Sequence, residues 1–248
     1  MAIIKSDSVR VVTEDELGLF QICPAYLSFS QEHSQIVSQE DDWYFKYKIQ
    51  AELLRGTLSM WLRRGIRPSM KRIRQKWDIM ATRACSEHEL TAEHTKEFLI
   101  TGNSGLTNIW NDIEERGYEI ALAKTPLLLE CHGVQVRAEP EAIFVAPDQS
   151  LIVLNFGPER STREIVNNLV YRARLAVASE LLKQEIFLVH YCLNGERKIF
   201  TSRSLYNTQM FKNLYHTAWA ITDGYNVPVD QVNHSCKEGC RYYKECFL

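Results

Sequence analysis

YEIALAKTPLLLECHGVQVRAEPEAIFVAPDQSLIVLNF, residues 118–156, is the stretch on which the fold turns. Its apolar residues recur at a period of two, which marks strands and not helices. Turn signals at His132-Gly133 and Pro147-Asp148 divide it into three or four strands. Downstream, STREIVNNLVYRARLAVASELLK (161–183) returns to helical spacing and opens on Ser161/Thr162 with Glu164 as a capping pattern. EIFLVHYCLNG and ERKIFTS then pair as strands across Asn194-Gly195, a strong hairpin signal, and a last helix covers 207–223. Upstream, residues 43–83 read as two helices joined near 65–69, where Gly65 and Pro68 interrupt the pattern. Trp61, Ile73 and Trp77 anchor them to the core. A helix from Thr91 to Leu99, a break at Gly102/Gly105 and a helix from Leu106 to Arg116 complete that half. Before them, VRVV (9–12) forms a short strand, and Thr13-Glu14-Asp15-Glu16 gives the T-x-x-E capping box of a helix that Pro24 ends. The sum is an α/β (α+β) fold, a mixed sheet flanked by helices.

At 248 residues, 45% hydrophobic and 24% charged, the chain can bury a large core. No repeat, low-complexity tract or Gly/Ser linker divides it, so the expectation is one domain over 1–248. Its start, MAIIKSDSVRVVTEDE, lacks the apolar run of a secretory signal, and no stretch approaches a membrane span of about 20 residues. A reducing, cytoplasmic setting is expected, with no membrane partner.

The seven cysteines suit metal better than disulfides in such a compartment. Cys236, Cys240 and Cys246 stand as C-x3-C-x5-C in HSCKEGCRYYKECFL, residues 234–248, and Cys23 lies far upstream in QICPAYL. Three clustered thiols need a fourth ligand, and Cys23, just before Pro24 at a helix end, can supply it. Taken alone Cys23 reads as a small buried hydrophobe; beside the trio it reads as a ligand. Four thiolates fit an iron–sulfur cluster or a structural zinc.

Arg63, Arg64, Arg67, Lys71, Arg72, Arg74, Lys76 and Arg83 make 63–83 strongly basic within a chain of net charge −2. Such a cluster can neutralise phosphates, with aromatic residues nearby to stack on bases. The plainer explanation is a solvated helix face balanced by the acidic segment 86–97.

One cysteine before the helices and three after the last, with the ending PVDQVNHSCKEGCRYYKECF, resembles the iron–sulfur branch of the RecB-like PD-(D/E)xK nucleases. That branch includes the CRISPR-associated RecB-like exonucleases and the AddB nuclease domain. The resemblance covers nearly the whole chain. It implies a restriction-endonuclease-like core with a mixed central sheet, a helical basic insertion at about 40–116, a sheet core at about 117–206, and a cysteine cap at 228–248 joined to Cys23. It also implies a 4Fe–4S cluster on Cys23, Cys236, Cys240 and Cys246, with zinc as the alternative.

Such nucleases place an acidic pair and a lysine on the sheet, because Mg²⁺ or Mn²⁺ takes hard oxygen ligands. Mapped by the resemblance, Glu141 in RAEPEAIF, with Glu139 beside it, stands for the metal-binding aspartate. In LIVLNFGPER, Asn155 replaces the second acid and Gly157 the lysine. A shift of one residue gives Leu154 and Phe156, which is no better. The histidine position falls near SGLTNIW, at Thr107 or Asn108, and Q-x3-Y is matched loosely by Asn167 and Tyr171. The expectation is a catalytically degenerate site. The chain would then be a nucleic-acid-binding or architectural subunit, on DNA more than RNA, among other protein subunits in CRISPR-type defence or DNA recombination and repair. Two alternatives stand: an active Mg/Mn-dependent exonuclease with migrated ligands (Glu139, Glu141, Glu159), and a protein-interaction scaffold that does not touch nucleic acid.

Overall fold

Leu151–Gly157 is buried at every position, which fits an apolar strand covered on both faces. A computed structural model describes residues 10–22, 42–131, 133–157, 165, 168–183, 186–192, 197–201 and 208–222. Along these the order is β1 (Val11–Val12), α1 (Glu14–Ile22), α2 (Asp42–Arg64), α3 (Met70–Glu87), α4 (Ala92–Glu115), β2 (Glu119–Ala123), β3 (Leu127–Cys131) and β4 (Val134–Ala138). Then come β5 (Ala142–Val145), β6 (Leu151–Gly157), α5 (Leu169–Leu182), β7 (Ile186–Cys192), β8 (Arg197–Thr201) and α6 (Thr208–Thr222). The fold is α+β, with mixed sheets flanked by helices.

The larger sheet runs β2-β5-β6-β7-β8, with β6 and β7 parallel and the other pairs antiparallel. A parallel pair needs a crossover, and α5 lies within it. The stretch expected as three or four strands of one mixed sheet forms five, divided between two sheets. β3 and β4 leave the larger sheet and join β1 as β1-β4-β3. Lys124, in the left-handed region at φ +49°, and the following Pro126 turn the chain away after β2. The inward side chains of β4, Val134, Val136 and Ala138, then find apolar partners on α5 and α6.

Alternation along the strands sets up the layers. Phe144, Leu154, Phe156, Val189 and Tyr191 face the core built with α2–α4. Ile143, Val153 and Leu188 face the other way, onto Tyr171, Leu175 and Ala178 of α5. The opposite side of α5, with Ala173, Ala176 and Val177, packs on the smaller sheet, α1 and α6. Helix α5 is thus held between the two sheets.

The capping box expected at Thr13 is formed: Glu16 N donates to Thr13 Oγ1 at 3.3 Å, and Thr13 N donates to Glu16 Oε2 at 2.9 Å. The break expected at Gly102/Gly105 is not there; α4 runs unbroken from Ala92 to Glu115. Gly102 serves close packing instead, since an added Cβ would lie 2.0 Å from the Trp77 ring. That indole stacks on Phe98 at 5.6 Å, and Trp61 meets Trp110 edge-on.

Candidate functional site

Ala142 pairs with Leu154 in the antiparallel β5–β6 ladder, which makes Glu141 and Asn155 cross-strand neighbours. Asn155 in turn pairs with His190 across the parallel β6–β7 ladder. By parity with Val153 and Leu188, the Asn155 and His190 side chains stand on the face that α5 covers, while Glu141 lies just before β5 at the end of the ladder. Glu141 is 4% exposed and Asn155 and His190 are 0% exposed. Three buried polar residues in a row demand partners.

Two arginines supply them for Glu141 and Asn155. Arg174, in the middle of α5, donates from Nη1 to Asn155 Oδ1 at 2.6 Å. Its Nε and Nη2 donate to the two oxygens of Glu14 on α1, at 2.9 and 2.7 Å. The other cation is Arg55 of α2, which grips both carboxylate oxygens of Glu141 through Nε and Nη2. Glu14 is fixed further by the Glu139 N–H at 2.6 Å. Two carboxylates therefore face two guanidiniums, and the cluster is neutral. Burial pulls the Arg174 guanidinium towards its neutral form. The bonded Glu14 carboxylate, with the Glu141 charge behind it, more than offsets this and holds its pKa above the ordinary value.

This donor set does not fit the divalent ion that the nuclease resemblance implies. A hard cation needs oxygen lone pairs turned towards it. Both oxygens of Glu141 accept from Arg55, and the single oxygen of Asn155 accepts from Arg174. The Asn155 amide nitrogen is a donor, and among the described residues no acceptor reaches it. Gly157, where that resemblance implies a lysine, has no room for a side chain. An ideal Cβ there would lie 2.6 Å from His190 Cε1 and 2.9 Å from the Tyr171 hydroxyl.

Of the residues singled out in the sequence, Glu141, Asn155 and Tyr171 are brought together here. Asn167 lies outside the described residues, as do Glu159, Arg160 and Arg163. Its neighbour Asn168 caps α5 by accepting from Tyr171 N at 3.1 Å. Thr107 accepts from Arg74 at 3.3 Å on the helical layer. Sequence reading missed Glu14, Arg55, Arg174 and His190. An arginine inside the apolar run RARLAVA and a histidine inside FLVHYC were the signals available, since a charge on a buried face requires a partner.

The basic stretch spans the end of α2 and the start of α3. Arg63, Arg64, Lys71, Arg72, Arg74 and Lys76 are exposed. Among the described residues Arg64, Lys71, Arg72 and Lys76 enter no ion pair, whereas Arg83 pairs with Glu87. Arg67 is committed to the fold: it donates to Tyr118 O at 2.6 Å and Glu119 at 2.7 Å and stacks over Trp61. Cys23, Cys236, Cys240 and Cys246 lie outside the described residues. Cys85 and Cys192 are buried.

A separate groove of about 550 Å³ lies where α4 ends over β7 and β8. Two of its lining residues, Arg116 and Arg197, meet at Asp112, which accepts from Arg116 Nε at 2.8 Å and from Tyr191 Oη and faces Arg197 Nε at 3.3 Å. No described helix is long and apolar enough to cross a membrane.

No family model matches the chain, and no curated protein does. Among solved structures, one described as the crystal structure of SSO0001 is similar at 14% identity, covering 73% of this chain and 88% of that one, with a TM-score of 0.34. A likeness that loose carries no argument. The fold and the site define an α+β protein with a buried, charge-neutral polar cluster at the heart of its larger sheet.

Proposed function

We propose that this chain is a catalytically degenerate member of the iron–sulfur RecB-like PD-(D/E)xK nuclease family. It binds nucleic acid, DNA in preference to RNA, and does not cut it. The observation that carries the reading is the state of the three motif positions: Glu141 is gripped by Arg55, Asn155 by Arg174, and Gly157 is closed by His190 and Tyr171. A hydrolytic nuclease of this type needs a metal-bound water and a cation beside it. Here each position that would hold those groups is engaged in another contact.

The α2–α3 corner supports the binding half of the reading. Arg64, Lys71, Arg72 and Lys76 project a set of exposed positive charges from one continuous segment, and nucleic-acid affinity rests chiefly on such charges. By the same resemblance, Cys23, Cys236, Cys240 and Cys246 hold a 4Fe–4S cluster, whose role is to join distant parts of the chain. The setting is cytoplasmic, within a larger complex of CRISPR-type defence or DNA repair.

Fluorescence anisotropy with labelled single- and double-stranded DNA and RNA, over a range of salt, tests this. The expected result is binding whose salt slope falls by about 0.7–0.9 for each phosphate that a substitution leaves without its cation. The combined reversal Arg64→Glu, Lys71→Glu and Arg72→Glu should abolish it. Undetectable binding at low salt, or binding indifferent to those reversals, refutes the reading.

A further inference from the structure

The polar cluster on the larger sheet has a charge pattern of its own. Glu14, Glu141 and Asn155 present oxygen atoms to a shared interior, and Arg174 and Arg55 fill it. Two guanidiniums carry the same total charge as one divalent ion. Arg174 is 11% exposed in its side chain and its partner Glu14 10%, so this is a buried pairing and not a pair of surface chains lying together.

We propose that Arg174 and Arg55 are built-in counter-cations that fill the place a divalent ion would take among Glu14, Glu141 and Asn155, so the cluster is closed to Mg²⁺ and Mn²⁺. Three features carry this. The guanidinium fork of Arg174 meets both oxygens of Glu14 and the only oxygen of Asn155, which occupies the lone pairs a metal would need. A carboxylate at 155 would add a third negative charge to a site where the two arginines already balance Glu14 and Glu141. An amide keeps the cluster neutral while still accepting from Arg174. Finally, the two arginines come from different layers, α2 and α5, and Glu14 comes from α1. The arrangement is therefore specified by three separate helices, each packed into the core, and not by one local motif. The inference rests on the nuclease-fold reading only in its choice of divalent ions as the probe. DNA binding plays no part in it, so either can fail while the other stands.

Mn²⁺ binding followed by electron paramagnetic resonance and titration calorimetry on the full chain tests it. Wild-type protein should show no Mn²⁺ binding that depends on Glu141. Arg55→Met with Arg174→Met frees the oxygens, and its apparent Mn²⁺ affinity should rise by about tenfold or more, since buried carboxylates without counter-charge seek a cation. Adding Glu141→Gln should remove that gain. Asn155→Asp, which leaves both arginines in place, provides a second line if the double variant does not fold: its melting temperature should not move with Mn²⁺. Wild-type Mn²⁺ binding that disappears in Glu141→Gln overturns the proposal. So does a folded double variant that gains no Mn²⁺ binding, or an Asn155→Asp protein that Mn²⁺ stabilises.

Discussion

Arg174 and Glu14 are 160 positions apart in sequence, yet the guanidinium of one and the carboxylate of the other meet in a two-pronged ion pair between α5 and α1. The contact fixes the first helix against the layer that separates the two sheets. It also decides what the polar cluster can hold, because the same guanidinium reaches Asn155.

Breaking one side of such a pair strands a buried charge. Glu14→Gln should therefore destabilise the protein by about 3–5 kcal/mol, read as a shift in the urea unfolding midpoint at unchanged slope. A loss below about 1 kcal/mol, the range of exposed pairs, would mean that the contact is solvated.

Gly157 gives a sharper geometric test. With His190 and Tyr171 at 2.6 and 2.9 Å from the place an alanine methyl would take, Gly157→Ala should cost about 1–3 kcal/mol through overpacking. Truncating His190 to alanine in the same chain removes the nearer of the two obstructions and leaves the Tyr171 hydroxyl, so the two substitutions should be non-additive. Additive effects would show that the imidazole does not occupy that space.

At Gly102 two effects have opposite signs. Helix propensity alone favours Gly102→Ala by about 1 kcal/mol. The Trp77 ring, 2.0 Å from the new Cβ, opposes it. Displacing an indole that is fully buried and donates to Leu99 O at 3.0 Å outweighs the propensity. Thermal unfolding should show a lower melting temperature for Gly102→Ala; a higher one contradicts the packing described.

These glycines show what the sequence could and could not convey. Period-two alternation and the turn signals marked 118–156 as strands, though five formed where three or four were expected, and β6, buried at every position, carries no alternation of burial. The capping box at Thr13 and the joint at 65–69 were legible as local signals. Gly102 was misread as a break because a glycine needed for close approach looks, in sequence, like a glycine that ends a helix. The division into two sheets was hidden too, since pairing partners depend on where Lys124 and Pro126 send the chain. In the buried cluster, Glu141 and Asn155 were found by motif position. Their partners Arg55 and Arg174 were not, because each reaches its partner across a tertiary contact that no spacing encodes.

Tyr191 links the fold to pH. Burial, then its hydrogen bond to Asp112, pushes the phenol pKa well above the ordinary value. The folded state holds this proton more tightly than the unfolded chain does. Its contribution is therefore complete below about pH 10, the ordinary tyrosine value, and is lost as pH rises beyond it. Unfolding measured from neutral to strongly alkaline pH should show that decline, and Tyr191→Phe should flatten it. An identical alkaline slope in the variant would assign the decline to other groups.

The most direct test of a catalytically silent cluster is a cleavage assay on end-labelled single- and double-stranded DNA with Mg²⁺ or Mn²⁺, using protein whose DNA binding has been verified. The expected result is intact DNA at every time point, with wild-type protein indistinguishable from Glu141→Ala. Robust metal-dependent cutting by wild-type protein that Glu141→Ala abolishes would contradict it.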